Sequence, residues 1–139
     1  MAMSEKEIEE FLKNGRMLKI ASIGDNKPHI TPIWYVYQSG KFYISTPSKT
    51  RKVKNLKRNK NVAFSLDVGE AFADVKAVVG SGTAQIVTDT ELARDVDAKI
   101  KIKYLGSTDH PIAKKLAELD DTVIEIIPTV KVSWDYSKY

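Results

Sequence analysis

Three strand-like runs follow one another in the first third of the chain, separated only by short turns. They are Met17–Ile23, His29–Tyr37 and Phe42–Thr46, and they are rich in β-branched and aromatic residues. The segments between them, Gly24–Lys27 and Gln38–Lys41, have the turn-forming residues of β-hairpins. Strands that are joined by hairpins are antiparallel neighbours. The pattern therefore disfavours a parallel sheet in which helices alternate with strands.

Further strand-like runs in the rest of the chain predict six or seven strands in total. These runs are Val62–Asp67, Val75–Val87, Thr122–Ile127 and Val130–Asp135, and Pro128 separates the last two. The Gly80–Gly82 segment within the long run predicts a bulge or a sharp bend. Pro32 cannot donate a ladder hydrogen bond, so its strand is expected at a sheet edge or beside a bulge.

Capping signals predict peripheral helices among these strands. Ser4–Glu7 is a capping box for a helix that ends near Asn14, and Thr88–Glu91 is a second box for a helix that ends before Gly106. Asp109–Leu119 predicts a shorter helix with His110 as a local cap. The elements together predict a mainly β chain with peripheral helices, folded as an antiparallel β-barrel in a single domain over residues 1–139.

A basic run, Lys49–Lys60, follows the third strand and contains seven lysines and arginines but no acidic residue. The whole chain has a net charge of +4, so the remainder of the chain is net negative. The apolar residues of the run have helical spacing. Thr46, Ser48 or Thr50 could supply the side-chain oxygen that caps such a helix.

Positive charge in the first turn of a helix opposes the helix dipole, so this helix lacks the negative charge that its N-terminus favours. One interpretation is a bound anion, held by the first-turn N–H groups together with Arg51 and Lys52. The alternative is a solvated basic face with no ligand. A nucleic-acid-binding module is a further alternative, but the run contains no aromatic residue for base stacking and the rest of the chain would repel a polyanion.

Catalysis by side chains alone is not expected. The two histidines, His29 and His110, are far apart in sequence, no cysteine is present, and no metal-ligand spacing stands out. No glycine-rich nucleotide-binding motif occurs. No run is long and apolar enough for a membrane span, and the acidic N-terminus lacks the features of a secretion signal, so a cytoplasmic location is expected.

Two stretches carry a family resemblance: IASIGDNKPHITPIWYVYQSGKFYIST, which begins at Ile20, and TRKVKNLKRNKNVAFSL, which begins at Thr50. Together with Gly80–Ala84 and the C-terminal VKVSWDYSKY, they resemble the pyridoxamine 5'-phosphate oxidase-like flavin-binding split-barrel family, particularly its small archaeal and actinobacterial members. The resemblance implies a homodimer with cofactor sites at the subunit interface and FMN as the cofactor. Some members of this family use a deazaflavin coenzyme of the 420 type instead.

The resemblance also implies an oxidoreductase that acts on an unidentified small molecule, with the chemistry on the cofactor and no catalytic side chain. A non-catalytic flavin carrier or sensor is the alternative from another class. Trp34 would lie near the edge of the ring, or serve only as a barrel aromatic. The residues that the resemblance assigns to the cofactor are Arg51 and Lys52 at the phosphate, assisted by Thr50 or Ser48 and by Lys54; Thr46 at the ribityl chain or phosphate; Thr31, Pro32 and Ile33 along the ring; and Trp134 from the partner subunit.

Overall fold

Seven antiparallel strands form one sheet in the computed structural model, which describes residues 1–139. The strands are β1 (Leu18–Gly24), β2 (Lys27–Ile33), β3 (Val36–Gln38), β4 (Lys41–Pro47), β5 (Asn61–Val68), β6 (Lys76–Ile86) and β7 (Asp121–Asp135). The helices are α1 (Glu5–Asn14), α2 (Arg51–Arg58), α3 (Thr90–Leu105) and α4 (Pro111–Leu116), with short 3-10 turns at Phe72–Asp74 and Tyr136–Lys138. None of the helices combines the length and apolar composition that a membrane crossing needs.

The two edges of the sheet are joined by a very short connection. The strand order is β2-β1-β5-β6-β7-β4-β3, so β2 and β3 lie at opposite ends of the sheet. Only Trp34 and Tyr35 link them. Three peptide units reach about 11 Å at most, so the sheet must curl until its two edges are close. The result is a barrel that is split between β2 and β3.

Both predicted hairpin turns are confirmed. Asp25 and Asn26 have φ of 51° and 60°, and Ser39 and Gly40 have φ of 53° and 74°. Positive φ at both central residues is the geometry of the two-residue turns that match the twist of antiparallel strands. The edge position predicted from Pro32 is also confirmed, because β2 pairs with β1 alone.

The prediction of a single strand over His29–Tyr37 is wrong, because the chain turns a corner at Trp34 and Tyr35. The backbone N–H of Tyr35 donates to the Tyr104 hydroxyl at 3.1 Å, and its carbonyl accepts from Lys103 Nζ at 3.0 Å. Its own hydroxyl donates to the Leu12 carbonyl inside the core. Because side chains of α3 satisfy the Tyr35 backbone groups, no neighbouring strand is needed there.

The prediction of two final strands is also wrong, since β7 is one strand of 15 residues. Pro128 lies opposite Gly82 and Val130 lies opposite Ser81, so Thr129 is an extra residue in β7. The bulge predicted at Gly80–Gly82 is therefore confirmed as a register shift. It accommodates Pro128 without ending the strand.

Three helix caps follow the sequence signals and one differs. The Ser4–Glu7 capping box, the left-handed Gly106 after α3 and the His110 cap of α4 are all present. The second predicted box is wrong, because Asp89 rather than Thr88 caps α3. Its carboxylate accepts from the N–H groups of Glu91 and Leu92 at 3.0 and 3.3 Å.

The sheet buries its inward face against α1 and α2, and α3 covers part of its outer face. Val53 and Leu56 of α2 join the main core beside Leu18 and Ile20 of β1. Val96 and Ile100 of α3 form a second cluster with Val36, Tyr43 and Val123. The packing of Val53 and Leu56 against β1 fixes α2 at the end of the barrel. In the chain, α2 follows β4.

Gly80→Ala is expected to lower the free energy of unfolding by about 2 kcal/mol. A Cβ at this position would clash with the Val130 carbonyl and lie 2.7 Å from the Phe64 ring, so β7 or the core must move. Urea denaturation of the variant measures the loss. Ser81→Ala, at an exposed neighbouring position, is the control and should change the stability little. Equal stability of the two variants would contradict the close packing.

Candidate cofactor-binding site

A lysine is buried where β4 ends and α2 begins. Lys52, in the first turn of α2, points to Thr46, and its Nζ donates to Thr46 Oγ1 at 3.0 Å. Lys52 is 6% exposed and Thr46 is 2% exposed. Lys52 lies four positions before the core residue Leu56, so both are on the buried face of α2. Lys52, the predicted phosphate ligand, is therefore hydrogen-bonded to Thr46, the residue predicted at the ribityl chain or phosphate.

The charge of Lys52 has no counterion within the chain. Eight ion pairs join lysine or arginine to a carboxylate, and none includes Lys52. Burial lowers the pKa of Lys52 below the ordinary lysine value of 10.5. A buried cation without a partner is costly, so this position favours an anion from outside the chain.

The N-terminus of α2 also lacks the expected side-chain cap. Thr50, one of the three candidate caps, is at the N-cap position, but its side chain makes no capping bond, and its Oγ1 is buried without a partner. Ser48 is engaged elsewhere: its hydroxyl donates to the Asp120 carbonyl at 3.0 Å and lies 2.6 Å from Thr122 Oγ1. No acidic residue is present in the first turn. A phosphate fits this arrangement, because it is an acceptor for the hydroxyl, the ammonium and the free N–H groups.

Residues of β2 and β4 meet in one cavity of about 410 Å³ at the split of the barrel. Pro32 and Ile33 line it from β2, and Thr46 lines it from β4. Thr31 is in register with buried Ile20, so its side chain lies on the inward face of the sheet. The strand predicted to follow the ring and the residue predicted near the phosphate thus lie on the same opening.

The other basic residues of the run are spread over different surfaces of α2. Arg51 is exposed and lines a shallow hollow beside the β1–β2 hairpin, together with His29 and Asn55. Lys54 is exposed, and Arg58 lies 3.5 Å from Asp25. The predicted contacts of Arg51 and Lys54 with a phosphate remain predictions.

Trp134 is far from this opening in its own chain. It pairs with Ala77 near the C-terminal end of β7, whereas Thr122, which pairs with Thr46, is at the other end of that strand. The separation is roughly 40 Å along the strand. Only a second subunit could bring Trp134 to the site, and that role remains a prediction.

The sequence interpretation missed the charged residues on the opposite wall of the cavity. Asp97 and Lys101 of α3 form an ion pair at 2.6 Å, and Asp121 begins β7 beside them. Burial and the nearby Asp97 carboxylate raise the pKa of Asp121. The spacing of Asp97 and Lys101 indicates a helical pair. No local signal, however, indicates that α3 packs beside the end of β4.

An aromatic stack fixes Trp34 in the cavity wall. The rings of Trp34 and Tyr104 are parallel within 4°, with centroids 4.6 Å apart. The Arg16 guanidinium lies 4.5 Å from the centre of the Tyr104 ring. Because the Tyr104 hydroxyl also binds the Tyr35 backbone, the stack and the corner hold each other in position.

Comparison with known proteins agrees with this architecture. The sequence profile of the family described as pyridoxamine 5'-phosphate oxidase matches residues 4–130. The chain belongs to this family. Its seven-stranded antiparallel sheet with peripheral helices is the split-barrel fold of the pyridoxamine 5'-phosphate oxidase-like proteins, as the resemblance predicted.

Three solved structures of this fold are informative. A conserved hypothetical protein from Mycobacterium tuberculosis is 31% identical, with a TM-score of 0.89 over 99% of this chain and 88% of that chain. An FAD-binding protein from Mycobacterium smegmatis is 25% identical, with a TM-score of 0.69 over 96% and 98% of the two chains. A protein described as F420 reductase is 23% identical, with a TM-score of 0.68 over 88% and 94%. No curated protein sequence is significantly similar to the chain.

The free energy of unfolding of the cofactor-free protein is expected to depend on pH because of Lys52. The folded chain disfavours protonated Lys52 and so binds fewer protons than the unfolded chain, which makes the free energy of unfolding rise with pH. Lys52→Met removes this contribution. The unfolding free energy of the variant minus that of the wild type should therefore fall as the pH rises toward 10.5, the ordinary pKa of lysine.

Urea denaturation at a series of pH values measures this difference. Lys57→Met, at an exposed position of the same helix, is the control and should show no such trend. A difference between Lys52→Met and the wild type that is independent of pH would contradict a buried, unpaired ammonium at Lys52.

Proposed function

We propose that the chain is an oxidoreductase that binds FMN through its phosphate and acts as a homodimer. The observation that carries this proposal is the buried Lys52, which has no carboxylate partner and lies at an uncapped helix N-terminus. Membership of the pyridoxamine 5'-phosphate oxidase family supports a flavin-type ligand. When bound, such a cofactor supplies hydride transfer, and the chain binds and orients it.

A phosphate monoester meets each unsatisfied group at this position. Its negative charge compensates Lys52, and its oxygens accept from the Thr50 hydroxyl and from the first-turn N–H groups of α2. Thr46 would orient the Lys52 ammonium through the bond that it already accepts. Arg51, Lys54 and Ser48 are proposed as outer contacts of the same anion.

The ring of the cofactor is proposed to lie along β2. This strand pairs only with β1, so the backbone groups on its other side are free to bond to ring heteroatoms. Thr31, Pro32 and Ile33 are the segment of β2 that faces the split of the barrel. The shape of the site therefore suits a planar group at β2 and an anion at α2.

A deazaflavin coenzyme of the 420 type is the second candidate. The hollow beside the β1–β2 hairpin is lined by Lys27, His29, Arg51 and Asn55, with Asp25 as its one carboxylate. It would suit a further anionic group on a cofactor larger than FMN. The similarity in fold to a protein described as F420 reductase supports keeping this candidate.

The homodimer is proposed on the outer face of the sheet. Strand register places Ile30, Ala21, Ala63, Ser81 and Val130 in one row across five strands on the same face. The next row consists of Pro32, Lys19, Ser65, Val79 and Val132. Helix α3 packs on Val36, Tyr43 and Val123 and leaves both rows uncovered. Ile30 and Val132 are 67% and 53% exposed. An apolar sheet face of this size is typical of an interface between subunits.

Identification of the chromophore in purified protein tests the function directly. An absorption spectrum with mass analysis of the released molecule distinguishes FMN from deazaflavin. A bound flavin that is reduced but never reoxidised by any organic substrate would indicate a carrier. A colourless protein that binds neither cofactor, and instead binds oligonucleotides with a steep salt dependence, would contradict the proposal.

Lys52→Met is expected to weaken FMN binding at least about thirtyfold, because a charge-assisted hydrogen bond to phosphate contributes about 2 kcal/mol. Fluorescence titration of the cofactor-free protein with FMN measures the affinity. Lys57→Met removes one exposed charge from the same helix and is the matched control. Equal affinities of the two variants would exclude Lys52 as the phosphate ligand.

Val132→Glu is expected to convert the dimer to a monomer, since a carboxylate at the centre of an apolar interface is costly. Light scattering after gel filtration measures the molecular mass. Ile102→Glu is the matched control, because Ile102 is 54% exposed but lies on α3, away from the sheet face. A monomeric wild type, or a dimeric Val132→Glu variant, would exclude this interface.

A further inference from the structure

The cavity at the split of the barrel has an apolar wall that nothing in the chain covers. Ile112 and Leu116 of α4 and Leu119 just after it line the cavity, opposite Trp34 and Ile33. Ile112 and Leu119 are 48% and 49% exposed. Burial of such side chains is favourable. The short helix α4 therefore presents its apolar side chains to a space large enough for a bicyclic organic molecule.

The polar end of this cavity has an excess of carboxylates. Asp97 and Asp121 face it, and the only lysine in its lining, Lys101, is already paired with Asp97 at 2.6 Å. The adjoining hollow adds Arg94 together with a third carboxylate, Asp120. Within the lining of the cavity itself, no cation is therefore free to receive an anionic ligand, and Arg94 lies outside that lining.

Lys52 does not change this charge balance. Its Nζ lies behind Thr46 and is not part of the cavity wall. Its charge is also the one that the proposed phosphate would neutralise. The cavity beside β2 and the anion position at α2 are thus chemically different: one is apolar with an acidic end, and the other is cationic.

We propose that this cavity is the substrate site and that it takes an uncharged, largely apolar molecule, with one polar group directed at Asp97 and Asp121, and excludes anions. The proposal rests on the proposed function in one respect, since the cofactor ring is assigned to the β2 wall of this cavity at Pro32 and Ile33. The substrate is assigned to the remaining space along Leu116 and Leu119. Phosphorylated and carboxylated substrates would be repelled at the acidic end of the cavity. Asp97 is already paired with Lys101, and partial desolvation together with the nearby Asp97 carboxylate raises the pKa of Asp121, which favours an uncharged polar group beside it.

Two nearly isosteric probes test the proposal: 2-naphthamide, which is uncharged, and 2-naphthoate, which is an anion at neutral pH. Isothermal titration calorimetry on the purified protein with its bound cofactor measures the affinity for each. We expect the amide to bind at least about tenfold more tightly than the carboxylate. Equal or tighter binding of 2-naphthoate would overturn the proposal, as would tighter binding of the cation 2-naphthylmethylammonium than of the amide.

Variants locate the probe within the protein. Leu116→Asp places a charge on the apolar wall and should abolish binding of 2-naphthamide. Lys114→Asp, on the same helix but outside the cavity lining, is the control. The double variant Asp97→Asn/Asp121→Asn should bring the two affinities within about threefold of each other. Circular dichroism verifies that this variant is folded. If it still binds 2-naphthamide as much more tightly than 2-naphthoate as the wild type does, Asp97 and Asp121 are excluded as the cause of the preference.

Binding of the naphthalene probes and retention of FMN are separate measurements, so the substrate site and the cofactor assignment can fail independently. Lys52→Met changes FMN retention without altering the cavity wall, whereas Leu116→Asp should leave FMN retention unchanged. A protein that retains FMN but binds no 2-naphthamide would overturn the substrate site and preserve the proposed function. A protein that binds no flavin but discriminates between the two probes would overturn the proposed function and preserve the substrate site.

Discussion

The two-residue connection between β2 and β3 is the constraint on which the rest of the structure depends. Trp34 and Tyr35 join opposite edges of the same sheet, so the sheet has to curl. The corner is stable because each polar group of Tyr35 has a partner: Tyr104, Lys103 and Leu12 supply them from α3 and α1. The inward face of the curled sheet becomes the core, and at the split the edge strand β2 and the end of β4 line one cavity.

That split places two chemically different features next to each other. On one side, α2 holds a buried ammonium at an uncapped helix N-terminus, which is a position that favours an anion. On the other side, α3 and α4 enclose an apolar space with carboxylates at its end. A cofactor with a phosphate and a planar ring, beside an uncharged substrate, would satisfy both. The part of the outer sheet face that α3 does not cover is exposed.

Much of the fold could be predicted from local sequence signals. The hairpin turns, the capping box of α1, the left-handed Gly106 and the bulge at Gly80–Gly82 each depend on residues within a few positions of one another. Predictions failed where distant residues decided the outcome. The strand breaks at Tyr35 because of partners in α1 and α3, and β7 continues through Pro128 because β6 allows a register shift.

In the basic run Lys49–Lys60, too, local sequence predicted part of the candidate site and tertiary packing decided the rest. The sequence by itself determined that seven cations follow β4, that a short helix lies among them, and that an anion would suit the start of that helix. Only the tertiary structure decided which cation is buried. Lys52 shares the buried face of α2 with Leu56 and reaches Thr46, whereas Arg51, Lys54 and Lys57 remain at the surface. The reason is physical: turn and cap preferences are local, whereas burial and the absence of a counterion depend on what the rest of the fold packs around each side chain.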